Sequence, residues 1–245
     1  MDAVKDCKRV LLKISGEYLA GGQPFGFAEA ALTGLAQAIK SLQSDGYQLA
    51  IVIGGGNFCR GESLQYLGID AVKCDHVGML GTMANAIVLG DFFSRLGITC
   101  QVRSALPVKG VMQDYEVSSC RQILDGGEVL ILAGGTGHPL FTTDTAASLR
   151  AIELQADLLI KATNVEGVYV AAPEEGTPMY ATLNYQEALS KQLQVMDLSA
   201  FAHCHTHKML LRVMHVDRLQ QLHQLLTGQV NFGTLVYFGE SAYVE

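Results

Sequence analysis

Positive charge is scarce in this chain: 17 Lys and Arg stand against 24 Asp and Glu in 245 residues, a formal net charge of -7. That balance supplies no general field for nucleic acid, so a phosphate-bearing ligand must be met by a few cations and backbone amides placed locally. The start, MDAVKDCKRV, mixes both charge signs and lacks the pattern of a signal or transit peptide. The longest uncharged apolar stretch, Val77 to Gly90, is closed by His76 and Asp91 and falls short of the roughly 20 residues that span a bilayer. No membrane partner is expected. Cys7, Cys59, Cys74, Cys100, Cys120 and Cys204 form no C-x-x-C pair, which fits reduced thiols in the cytoplasm better than a disulfide framework. Repeats and low-complexity tracts are missing too. The two familiar nucleotide fingerprints also fail: there is no G-x-x-x-x-G-K-[ST], and neither GGGNFC nor GGTGHP completes G-x-G-x-x-G.

What the chain does have is a 49% hydrophobic content, enough to bury a sizeable core. Short β-branched runs alternate with segments of helical period, the signature of β-α units feeding a mainly parallel sheet. The runs are Arg9–Ser15, Gln48–Ile53, Thr99–Ser104, Glu128–Leu132, Asp157–Thr163, Leu210–Val216 and Gly233–Phe238. Between the first two, Leu32, Leu35, Ala36, Ile39 and Leu42 recur at helical spacing, with Gly46 as the stop. Further helices are predicted near Asp75–Leu96, Val117–Asp125, Thr143–Leu154, Asn184–Leu193, Asp197–His207 and Arg218–Leu226. The segment AAPEEGTPMY, Ala171–Tyr180, reads as a loop or junction without a true linker. The expected fold is one α/β domain over 1–245, a three-layer α/β/α sandwich with an open, mainly parallel sheet.

Four of the strand runs end at once in small residues: Lys13-Ile-Ser-Gly16, Gly54-Gly-Gly-Asn57, Ala133-Gly-Gly-Thr-Gly-His138 and Lys161-Ala-Thr-Asn164. In an open parallel sheet these carboxyl ends are where ligands bind. Glycine suits close approach, because bare amides donate to phosphate oxygens that a Cβ would hold away. Any one cluster is as well explained by a turn, but four together point to a long polyanionic or two-part ligand. Lys13 sits inside an apolar strand and either faces an anionic site or snorkels from the edge. Arg60 is placed to grip a phosphate, although alone it would read as a surface residue. Thr142-Thr-Asp-Thr145 reads as a helix cap whose end also faces the ligand. His203 and His207 have the i, i+4 spacing of a metal pair, without a second ligand cluster to complete it. Met79, Leu80, Met83 and Ile87 read as core.

Taken together, LLKISGE, IGGGNFCRG, DHVGMLGTMAN, GGTGHPLFTTDTAA, KATNVEGVY and VMDLSAF resemble the motifs of bacterial-type UMP kinases in the amino-acid-kinase superfamily, over nearly the full length. The strand-end lysine and GGGN resemble the superfamily at large; DHVGML and TTDTAA resemble the UMP branch. The resemblance implies transfer of the γ-phosphoryl group of ATP to UMP with Mg²⁺, in pyrimidine nucleotide supply. It places Lys13, Ile14, Ser15, Gly16, Gly56, Arg60, Thr163 and Tyr169 on the ATP side. Gly55, Asp75 and the run Thr136, Gly137, His138, Pro139, Leu140, Phe141, Thr142 and Thr143 fall on the UMP side. Lys13, Arg60, Asp144 and Asp197 are the implied catalytic set, with Mg²⁺ carried by nucleotide phosphates or reached through Asp144. It also implies an acceptor part over 1–156, an ATP-binding part over 157–245, a homohexamer, GTP activation and UTP inhibition.

The chain departs from that pattern at Ala172, where a carboxylate is usual, at His138, where Asn is usual, at Asn164 and Glu166, and at Gly90, where an arginine is often seen. His138 introduces a group that can change charge near neutral pH. Two other readings follow from the same residues: a superfamily kinase acting on a carboxylate or carbamate, and a nucleotide-binding regulator with little turnover. Asp75 opposes the first by repelling a carboxylate, and retained Lys13, Asp144 and Asp197 oppose the second.

Overall fold

The computed structural model describes residues 4–59, 61–174 and 176–244, with the side chains of 61–63 excepted. The first apolar runs form β1 (Arg9–Ile14) and β2 (Gln48–Ile53), paired in parallel with Leu12 opposite Ile51. Parallel neighbours need a crossover, here α1 (Gly16–Ala20) and α2 (Glu29–Ser44). The chain continues through α3 (Gly61–Tyr66), α4 (Ala71–Arg95), β3 (Cys100–Ser104), β4 (Gln113–Asp114), α5 (Val117–Asp125) and β5 (Val129–Ala133). Then come α6 (Thr143–Glu153), β6 (Leu158–Thr163), β7 (Tyr180–Asn184), α7 (Tyr185–Ser190), α8 (Leu198–Thr206) and β8 (Leu210–His215). A 3₁₀ turn (Val216–Gln221), α9 (Leu222–Leu226), β9 (Thr234–Tyr237) and β10 (Ala242–Tyr243) complete it.

The described strands join in one sheet of order β10-β7-β9-β8-β6-β1-β2-β5-β3-β4. Its pairings are parallel except β8 with β9 and β7 with β10. On one face the strands bury Leu35 and Ile39 of α2, Leu89 and Phe93 of α4, and Leu222 of α9. The other face buries Leu124 of α5, Ala147 and Ala151 of α6, and Phe201 and Cys204 of α8. This is the expected α/β/α sandwich, with each large apolar side chain removed from water contributing about 1.5–3 kcal/mol.

Two expectations need correction. α4 runs past His76 and Asp91, so by length and composition it reaches across a bilayer; its Met79, Met83, Leu89 and Phe93 lie instead in the core. Leu80 and Ile87, read as core, are 57% and 45% exposed. Both sides of this helix are apolar, so periodicity alone did not distinguish the side that meets the sheet. Three strands fell outside the sequence reading: β4 and β10 have two residues each, and β7, YATLN, begins in the segment read as loop.

The winding of the sheet reverses at β1, which pairs with β2 on one side and β6 on the other. Crevices at such a switch point, beyond the carboxyl ends of the strands, are where open α/β sheets bind ligands. Lys13 of β1 and Lys161 of β6 stand opposite each other there.

Candidate active site

Lys13 and Lys161 point to the same face of the sheet, at the start of α6. The Lys13 ammonium lies 2.7 Å from Asp144 Oδ1, and Lys161 Nζ donates to Asp144 Oδ2 at 2.6 Å. All three side chains are largely buried, at 12–15% exposure. Burial pushes the Asp144 carboxyl up, but the two lysine charges outweigh it and hold it below the usual carboxylate range. Two cations on one anion leave the cluster with an excess positive charge in a poorly solvated place, where an incoming anion is favoured.

Asp197 has another task. It caps α8, accepting from Ala200 N at 3.0 Å, and also accepts from the hydroxyls of Thr142 and Thr145. Thr142 in turn caps α6, accepting from Thr145 N at 3.1 Å. The amino ends of α6 and α8 are thereby tied together beside the lysines. Lys161 adds a second tie by donating to Val195 O at 2.9 Å. Among the described residues no three His, Cys, Asp or Glu groups gather to hold a metal. Both Asp144 oxygens face lysines and Asp197 takes three hydrogen bonds, so neither carboxylate offers an open pair of oxygens to Mg²⁺. His203 and His205 turn to Ser148 and Gln186.

Two cavities flank the cluster. The glycine pocket, about 280 Å³, lies over the β2 and β5 ends and is lined by Gly55, Gly56, Asp75, Gly135, Thr136, His138 and Phe141 to Thr143, among others. Its turn is rigidly held: Asn85 donates to Gly54 O and to Asn57 Oδ1 at 2.7 Å each, and Asn57 donates to Gly26 O at 3.0 Å. Thr82 Oγ1 accepts from Gly134 N at 2.8 Å. Thr82 and Asn85 were missed in the sequence; the signal was two polar side chains inside an apolar helical run.

The glycines divide into two kinds. A Cβ on Gly16 would sit 2.5 Å from Gly54 O, and one on Gly55 would sit 2.5 Å from Gly78 O, so backbone packing alone requires both. A Cβ on Gly56 would meet only the Glu17 side chain, at 3.1 Å, and one on Gly135, at φ +59°, only Met79 at 3.8 Å, so no backbone packing demands these two and both leave bare main chain at the cavity. The next loop carries Leu140 at φ +67°, unusual for a branched side chain. Its N–H donates to Asp75 Oδ2 at 2.7 Å, which holds the loop across the pocket.

The second cavity, the hairpin groove of about 430 Å³, lies between residues 165–173 and 191–194 and includes Tyr169, Ala172 and Lys191. Lys161, Gln194 and Asp197 line a smaller recess. Ile14, Ser15 and Gly16 form the end of β1 and the start of α1, and Thr163 ends β6. Arg60 lies outside the described residues. Lys161 was noted only as part of a strand end; its register opposite Lys13 became visible with the β1–β6 pairing.

Residues 8–215 match the family model described as the amino acid kinase family. The uridylate kinase of Vibrio campbellii is 43% identical over 231 residues, covering 94% of this chain and 95% of the relative. That of Saccharophagus degradans is 44% identical, covering 94% and 93%. A crystal structure of UMP kinase from Bacillus anthracis superposes with a TM-score of 0.93 at 32% identity, covering 98% of this chain and 99% of the other. With sequence, fold and lysine cluster in agreement, the chain belongs to the amino acid kinase family, in its uridylate kinase branch.

Proposed function

We propose that the protein transfers the γ-phosphoryl group of ATP to UMP, giving ADP and UDP, as a step in pyrimidine nucleotide supply. The observation that carries the reading is the Lys13–Asp144–Lys161 cluster at the sheet's switch point, between the glycine pocket and the hairpin groove. The glycine pocket takes UMP, with Asp75 toward the sugar and Gly56, Gly135, Thr136, His138 and Phe141 to Thr143 around the phosphate. ATP lies from Lys13 to Gly16 past Thr163 to the groove at Tyr169. Strands β1 to β5 therefore carry the acceptor and strands β6 to β10 most of the ATP site, the division at 156/157.

The chemistry asks little of general bases. A phosphate monoester has a second pKa of about 6, so the attacking oxygen of UMP is already largely ionised at about pH 7. Repulsion is the obstacle: two like charges about 4 Å apart repel by roughly 4 kcal/mol at an effective dielectric of about 20. Lys13 neutralises the moving phosphoryl group, Asp144 aims Lys13, and Lys161 fixes Asp144. The carboxylates here are engaged, so Mg²⁺ would be held by the nucleotide phosphates, where it would add charge neutralisation to that of Lys13. The same reading includes a cytoplasmic homohexamer with GTP activation and UTP inhibition; exposed Val77, Leu80 and Ile87 along α4 support self-association.

ADP release measured with UMP, CMP, amino acids and carbamate as acceptors tests the reaction. Turnover that depends on UMP supports it; ATP and UMP binding without turnover, or turnover with a carboxylate, overturns it.

A further inference from the structure

Two of the six cysteines converge on the glycine pocket. Cys59 closes the glycine turn, its N–H donating to Gly55 O at 3.3 Å, and Cys74 lies in the first turn of α4, where its thiol reaches Ile69 O at 3.6 Å. Both line the cavity that also holds Gly55, Gly56 and Asp75. They come from different elements around that cavity, and no disulfide joins cysteines among the described residues. Cys7, Cys120 and Cys204, by contrast, are buried within the two cores.

We propose that Cys59 and Cys74 form a reversible oxidation site that closes the glycine pocket, with a peroxide as the oxidant. This rests on reading that pocket as the acceptor site. The Cys59 thiolate attacks one peroxide oxygen, the O–O bond breaks, and hydroxide leaves; sulfur loses two electrons and becomes a sulfenic acid. Cys74, having given its proton to solvent, then attacks that sulfur, the S–O bond breaks, and a second hydroxide departs as the disulfide forms. Both hydroxides take up the protons released by the thiols, so one peroxide and two thiols give one disulfide and two waters.

The order follows from their surroundings. Cys59 is half-buried at the cavity, whereas Cys74 is 1% exposed. Burial pushes the Cys74 thiol up, and the negative charges of Asp75, Asp70 and Cys59 add to it. A thiol kept protonated and shut from solvent is slow to meet peroxide, so Cys74 enters second, on deprotonation, against a sulfenic acid already formed in the same cavity. A disulfide needs its Cβ atoms about 3.5–4.5 Å apart, so the bond pins the glycine turn to α4 next to Asp75, in the room the acceptor needs.

The test treats the whole protein with hydrogen peroxide, with and without saturating UMP, then maps peptides without reduction and measures ADP release. We expect a Cys59–Cys74 peptide, a turnover loss of about tenfold or more, recovery with dithiothreitol, and suppression of both effects by UMP. Cys59→Ser should lose the cross-link and the sensitivity, each variant being compared with its own untreated rate. In Cys74→Ser, oxidation should stop at a Cys59 sulfenic acid that dimedone captures. Turnover loss without the Cys59–Cys74 peptide, or equal loss in Cys59→Ser, overturns the proposal, as does a cross-link that leaves turnover intact. An untreated protein with no UMP-dependent turnover overturns the kinase reading instead, and the peptide map with and without UMP still judges the disulfide without any substitution.

Discussion

The two cavities beside the lysine cluster are built by different means. The glycine pocket is walled by main chain packed on main chain: Gly16 against Gly54, Gly55 against Gly78, with the Asn57–Asn85 amide pair buried behind them. The hairpin groove is made of connecting segments, and Ala171, Ala172 and Pro173 on its rim are exposed. A wall of close backbone contacts does not yield to small changes in a ligand, whereas connecting segments tolerate substitution. The glycine pocket is therefore the rigid wall of the pair, and the hairpin groove the adaptable one.

The sharpest way to break the comparison is to remove the charge that both halves share. Lys13→Ala should lower kcat by about 10²–10³-fold with the far-UV circular dichroism spectrum retained. Asp144→Asn should cost about 3–5 kcal/mol in urea unfolding, because two buried ammonium groups lose their anion. Its pH dependence has a definite sign. The folded carboxyl titrates below its unfolded value, so the stabilisation is complete above about pH 4 and disappears as pH falls through the lowered value. Wild type and Asp144→Asn should then converge in stability in strong acid; a constant difference there would contradict the pairing.

Smaller effects separate the two cavities. Asn85→Ala strands Asn57 and Gly54 O without their partner and should destabilise by about 1–3 kcal/mol, raising the KM for UMP more than that for ATP. Equal changes in both constants would mean that the wall is not specific to one half. Ala172→Asp restores a carboxylate to the exposed rim of the groove and should alter the KM for ATP by only about 2–5-fold, a change under about 1 kcal/mol, with the KM for UMP unmoved.

Much of this arrangement was legible in the sequence. Alternating β-branched and helical segments implied the sandwich, and strands β1, β2, β5 and β6 fall where their apolar runs lie. Lys13 stood out as a charge inside an apolar strand, and Asp144 as part of a helix cap whose catalytic place came from the family resemblance. Lys161 did not, because its meaning comes from a strand pairing across about 150 residues of chain, which no local pattern encodes. Gly16 and Gly55 looked like concessions to a ligand, yet each is required by another segment's carbonyl, information that exists only once the turns meet. β7 was hidden because YATLN has little apolar alternation and is recruited by β9 and β10 from the far end of the chain.

Asp75 gives one carboxylate oxygen to the amide of Leu140, a residue in a backbone shape that disfavours its side chain by about 1–2 kcal/mol. The Asp75 side chain also lines the glycine pocket. Posture of the loop and lining of the pocket are thus written into a single side chain, so neither trait can drift by itself. Any change of that wall would have to re-anchor Leu140 in the same stroke, an obstacle to reshaping the cavity.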